Sequence, residues 1–101
     1  MTLKIQRSIE QELVVFTLTG RIQAEQIPGL LALLRSESSE QEIAFDLEQV
    51  KLVDRDAVLF LALSETLGAR LRNCSAYIRK WINQERNARQ NGSEGPTESA
   101  R

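Results

Sequence analysis

Two apolar runs of strand type enclose a stretch whose apolar residues recur at helical spacing. Residues 13–19 (LVVFTLT) are rich in β-branched and aromatic side chains, and residues 42–47 (EIAFDL) carry the apolar core Ile43-Ala44-Phe45. Between them Ile27, Leu30, Leu31 and Leu34 stand at i, i+3, i+4 and i+7, a single stripe along a helix. A strand, a helix and a second strand in this order imply a right-handed crossover and parallel pairing.

The pattern extends in both directions. Leu3 and Ile5 alternate with polar neighbours and predict a strand joined to the next by a short turn near Glu10-Gln11, which permits antiparallel pairing. Pro28 and Gly29 are tolerable in a first helical turn, so the first helix is expected over residues 26–35. A second helix is expected over 55–67, stopped by Gly68, then a short strand over 69–72. Ser75 suits the cap of a last helix in which Ile78, Trp81 and Ile82 share a face. The fold class is therefore α/β: a small mixed sheet of about four strands, the first pair antiparallel and the rest joined by βαβ crossovers, with helices in the order ββαβαβα. The nearly continuous apolar run of the third strand predicts cover on both faces.

A chain of 101 residues fits one domain, placed over residues 1–85. Residues 86–97 hold no apolar side chain larger than alanine and cannot offset the entropy of ordering, so 86–101 are expected to form a frayed helix end and a disordered tail. No stretch approaches the ~20 apolar residues of a membrane span, and the start at Met1 passes directly into alternation without a secretory leader. Lone Cys74 fits a reducing compartment and reads as a small buried apolar residue. The expectation is a cytoplasmic protein with no membrane insertion.

The chain has no histidine, which removes the commonest general base, the Ser-His and Cys-His nucleophile pairs and imidazole metal ligands. It has no glycine-rich phosphate loop either. An enzyme is not expected, nor a cofactor. With a net charge of -1 and only a mild basic bias near the C-terminus, nothing resembles a nucleic-acid footprint.

What stands out is the run Val53-Asp54-Arg55-Asp56-Ala57-Val58, where two carboxylates mark the passage from strand to helix. Open α/β sheets place functional surfaces at such junctions. Asp54 suits a helix N-cap, and Asp56 suits a first turn facing the positive helix end. Asp46 is expected within reach of both, but without a phosphate-cradling loop or a well-placed lysine the three carboxylates do not argue for a magnesium site. The second helix carries two apolar arcs, Leu59, Phe60, Leu63 and Leu67 on one and Val58, Leu61 and Ala62 on the other. One can cover the sheet, and the other is either covered by flanking helices or left for a partner.

The element order, the run Val14-Val15-Phe16-Thr17-Leu18-Thr19-Gly20-Arg21-Ile22, then Ile43-Ala44-Phe45-Asp46-Leu47, Val53-Asp54-Arg55-Asp56-Ala57-Val58 and Gly68-Ala69-Arg70-Leu71 together resemble the STAS family over residues 3–84. That family comprises sulphate-transporter domains and anti-sigma factor antagonists. The resemblance implies a module that binds proteins and turns over no substrate. In the antagonists a serine or threonine at the start of the second helix is phosphorylated by a kinase that is also the anti-sigma factor, and phosphorylation blocks binding. Asp54 matches the leading aspartate of that motif. The hydroxyl position is held by Asp56, its neighbour by Arg55 and the following glycine by Ala57, so no hydroxyl is available there.

These residues lead to an expected non-enzymatic, anti-sigma factor antagonist-like regulator or scaffold without the phosphorylation switch. Its expected partner surface comprises Asp54, Arg55, Asp56, Ala57 and Leu59, with Asp56 as the phosphosite equivalent and Arg55 able to neutralise it locally. The partner that the resemblance implies is a protein, an anti-sigma factor of kinase type. Two alternatives stay open: a subunit docking on a transporter ATPase, and a small-molecule or nucleotide binder using Asp46 and the junction backbone. Tyr77 and Trp81 pack either within the domain or at a homodimer seam.

Overall fold

The computed structural model describes residues 3–38 and 40–94. Strand β1 (Leu3–Glu10) turns back into β2 (Leu13–Ile22), and a 3-10 turn (Ala24–Gln26) leads into α1 (Ile27–Arg35). There follow β3 (Glu42–Val53), α2 (Arg55–Thr66), β4 (Arg70–Arg72) and α3 (Ala76–Glu94). The sheet runs β1-β2-β3-β4, with β1 antiparallel to β2 and the other neighbours parallel. The expected mixed sheet and the order ββαβαβα are both present. Helix α3 runs on to Glu94, into the stretch where the sequence predicts a frayed end, and residues 95–101 lie outside the described residues.

Both crossovers step the same way across the sheet, and right-handedness then puts α1 and α2 on one face. Val14, Phe16 and Leu18 of β2 and Phe45 and Leu47 of β3 meet Leu30, Val58, Leu61, Ile78 and Ile82 in one core. Phe45 stands between Phe16 and Phe60, with ring centroids 5.9 and 5.8 Å away. At such separations aromatic pairs add to the burial of their area.

The expectation that β3 is covered on both faces is corrected. Among the described residues no helix covers the opposite face, yet Val15 and Ala44 there are only 2% and 0% exposed. Arg72 on β4 reaches Glu10 on β1, Nη1 to Oε1 3.0 Å, although two strands separate them. Their side chains meet above the strip where Val15 and Ala44 stand, so the aliphatic stem of an arginine does what a helix does on the other face.

β3 is also longer than residues 42–47. Its second half, where polar and apolar residues mix, pairs with Thr19–Ile22 through two register shifts, the second beside Gly20, whose φ of 110° suits glycine. Gly68, at φ 112°, ends α2 as expected. Ser75 Oγ accepts from the amide of Ile78 at the start of α3, again as expected. No helix among the described residues is long and apolar enough to cross a membrane.

Candidate functional site

The strand-to-helix junction is built around one carboxylate. Asp54 Oδ1 accepts from the amide of Ala57 at 2.9 Å, the expected N-cap bond. Asp54 Oδ2 accepts at 2.9 Å from the amide of Ala24, in the loop that follows β2. Its own amide donates to the carbonyl of Ile22 at 3.3 Å. Asp54 thus ties the ends of β2 and β3 and the start of α2 into one rigid corner. Both of its oxygens are engaged, which makes it a positioning residue more than a contact.

Arg55 is exposed and directed to α3, where its Nε donates to both oxygens of Glu85 at 3.3 Å. Glu85 also accepts from the indole N–H of Trp81 at 3.1 Å. The expected local neutralisation of Asp56 by Arg55 therefore gives way to a link between helices. Asp56 itself is exposed in the first turn of α2. Its charge faces solvent beside the positive helix end, which favours a carboxylate there.

Ala57 is fully buried, so its side chain does not reach a partner. Its small size lets α2 lie close to the sheet. The two arcs of α2 also resolve: Val58, Leu61 and Ala62 are buried together with Phe60, while Leu59 is half-buried and Leu63 and Leu67 are 51% and 78% exposed. Arg55, Leu59, Leu63 and Leu67 form an i, i+4 row about 18 Å long on the outer side of the helix. Beside it, Leu63 and Leu67 join Leu31, Leu34, Ile43 and Phe60 around a groove of about 510 Å³. Leucines on the outer arc were legible as an apolar pattern, but their exposure was not, because both arcs are equally apolar.

Asp46 is not part of this corner. β3 continues for seven residues beyond it to Val53, roughly 23 Å of extended chain, so Asp46 lies within the strand, far from Asp54 at its C-terminal end. Asp46 Oδ1 instead accepts from the amide of Glu48 at 3.1 Å and from Asn73 Nδ2 at 3.2 Å, holding the bulge in β3 against the turn after β4. The expected proximity of three carboxylates is thereby corrected, and with it the pocket that combined Asp46 with the junction backbone. No cluster of metal-ligating side chains occurs among the described residues.

No protein-family model matches the sequence, and no curated protein matches it. Among solved structures, the STAS domain of an anti-sigma factor antagonist from Rhodobacter sphaeroides aligns with a TM-score of 0.56 at 12% identity, covering 74% of this chain and 94% of that one. The chain has a STAS-like fold. An uncharacterised protein from Shewanella loihica with a SpoIIAA-like fold aligns at a TM-score of 0.42 and 18% identity, over 69% of this chain and 62% of that one. At 12% identity the likeness to the Rhodobacter sphaeroides domain is one of fold. Within the STAS-like fold, the corner built by Asp54 lies at the C-terminal ends of β2 and β3, and α2 projects its first turn from there.

Proposed function

We propose that the chain is a non-enzymatic interaction module of the anti-sigma factor antagonist type in which the phosphorylation switch is absent. Its partner surface is the start of α2 and the row that continues from it: Arg55, Asp56, Leu59 and Leu63, held in place by Asp54. The observation that carries this reading is Asp56, an exposed carboxylate on a rigidly capped helix start. What supports it is that Asp56 stands where the resemblance to the antagonists implies a phosphorylated hydroxyl.

A carboxylate carries about one negative charge against ~1.5–2 for a phosphate, and it cannot be removed by a phosphatase. The partner therefore meets the same surface at all times. The exposed leucines supply apolar area for the contact, and the charges at the helix start supply its orientation.

The test is phosphate mapping after incubation of the purified protein with native cell extract and ATP. The wild-type chain is expected to carry no phosphate at residues 54–58, and Asp56→Ser is expected to gain it. Phosphate on the wild-type chain in that run contradicts the reading. The protein captured by the wild-type chain and lost with Leu63→Glu then separates an anti-sigma factor of kinase type from a transporter ATPase.

A further inference from the structure

β1 is an edge strand of eight residues, paired on one side only among the described residues. The opposite edge strand, β4, spans three. Short edges protect themselves, whereas a long regular edge without proline or bulge is a template for another strand. The turn at Gln11 and Glu12 fixes which amides face outward. Both residues have positive φ, 50° and 73°, the two-residue type I′ geometry, so Glu10 and Leu13 flank it as a hydrogen-bonded pair. By alternation Ser8, Gln6 and Lys4 also bond to β2, and the N–H and C=O groups of Leu3, Ile5, Arg7 and Ile9 point to the free edge.

We propose that this edge binds a second copy of the same chain, the two β1 strands antiparallel about a two-fold axis at Arg7, so that two four-stranded sheets join into one. In this register Ile5 lies opposite Ile9, Gln6 opposite Ser8 and Lys4 opposite Glu10. The outward-facing backbone groups of Ile5, Arg7 and Ile9 then form the hydrogen-bonded pairs. Lys4 and Glu10 fall at the non-hydrogen-bonded positions, where side chains approach more closely. Ile9, 57% exposed on the helix-covered face, gains an apolar neighbour twice over.

Charges on an edge strand ordinarily repel a second strand, but here each has a counter-charge. Arg7 meets its own copy, and Glu37 already binds it through two hydrogen bonds of 2.8 and 3.0 Å. Glu10 holds Arg72 through Oε1 and has a second oxygen for Lys4. A slip of the axis to Gln6 or to Ser8 sets Lys4 opposite Ser8 or beyond the pairing, and Ile5 or Ile9 opposite Arg7. Only the Arg7 axis brings opposite charges together.

The test combines sedimentation equilibrium with amide hydrogen exchange on the full chain. A dimer is expected, with the amides of Ile5, Arg7 and Ile9 protected. Lys4→Glu and Glu10→Lys each weaken association by roughly tenfold or more, since each places two like-charge pairs in the interface. An equimolar mixture of the two variants restores it, because every such pair in the mixed dimer is again opposite in charge, and that rescue requires both variants to be folded. The proposal is overturned if the protein is monomeric at millimolar concentration, if the mixture associates no better than either variant, or if a dimer forms while those amides exchange freely.

Discussion

Arg55 donates to Glu85, thirty residues further along, and turns away from Asp56 beside it in sequence. The consequence is electrostatic. The cation that a reading of the sequence assigns to Asp56 is spent on fixing α3 against the start of α2, and Asp56 presents its full charge to solvent. A helix start whose carboxylate has no counter-charge among the described residues is a suitable surface for recognising a partner, and it has no hydroxyl to modify.

Asp54→Ala removes a helix cap and the bond to the amide of Ala24 together. The expected loss is about 2 kcal/mol in urea unfolding, from a cap worth ~1 kcal/mol and a second hydrogen bond of similar size. Asp54→Asn keeps one acceptor oxygen and is expected to lose less. Equal stability of all three proteins would show that the corner holds without its carboxylate.

Acid is expected to loosen α2 from α3. The Arg79 guanidinium, hydrogen-bonded to Glu65 at 2.8 and 3.0 Å, and the Arg86 charge hold the Glu65 carboxyl below its ordinary value of 4.5. A folded-state pKa below the unfolded one contributes stability that is complete well above pH 4.5 and fades as the pH falls through the folded value. Glu65→Gln should flatten that acid limb in thermal unfolding, at a cost of roughly 1 kcal/mol or less near neutrality because the group is partly solvated.

Arg72 makes a sharper case for packing over charge. Arg72→Met keeps an apolar stem over Val15 and Ala44 and is expected to stay within about 0.5 kcal/mol of the parent, the usual worth of an exposed ion pair. Arg72→Ala uncovers the strip and should cost about 1 kcal/mol or more. Denaturant midpoints of the two variants distinguish the contributions, and an equal loss in both would assign the effect to the ion pair with Glu10.

Burial pushes the Cys74 thiol up from its ordinary value, with Glu65 adding to the shift and Arg79 opposing it. Less thiolate at neutral pH means slower alkylation. Iodoacetamide should label Cys74 more slowly than a free cysteine at the same pH, and labelling at an equal or faster rate would contradict its half-buried, desolvated setting.

Much of this fold is written locally. The β-branched run of β2, the i, i+3, i+4 stripe of α1, the caps Asp54 and Ser75 and the stop at Gly68 each act within a few residues, so each is readable where it stands. What was not readable depends on neighbours distant in sequence. Residues 48–51 (EQVK) are polar apart from Val50 and interrupt the apolar run, yet they are strand because Thr19–Ile22 lies alongside. That extension carries Asp46 away from Asp54. Gln11 and Glu12 adopt a type I′ turn without the Asn-Gly pair that usually marks it, because the strands on either side impose the conformation. At the candidate site, Asp54 and Asp56 were legible from capping rules. Ala24 and Glu85 were not, since each enters through a single contact about thirty residues away in sequence.

The central claim is that partners meet the outer row of α2. Photo-crosslinking in the native cell, with a benzophenone side chain replacing Leu59 in one variant and Thr17 of the helix-free sheet face in another, tests it most directly. A single protein species is expected to be crosslinked from position 59 and not from 17. Crosslinking from 17 alone would contradict the account.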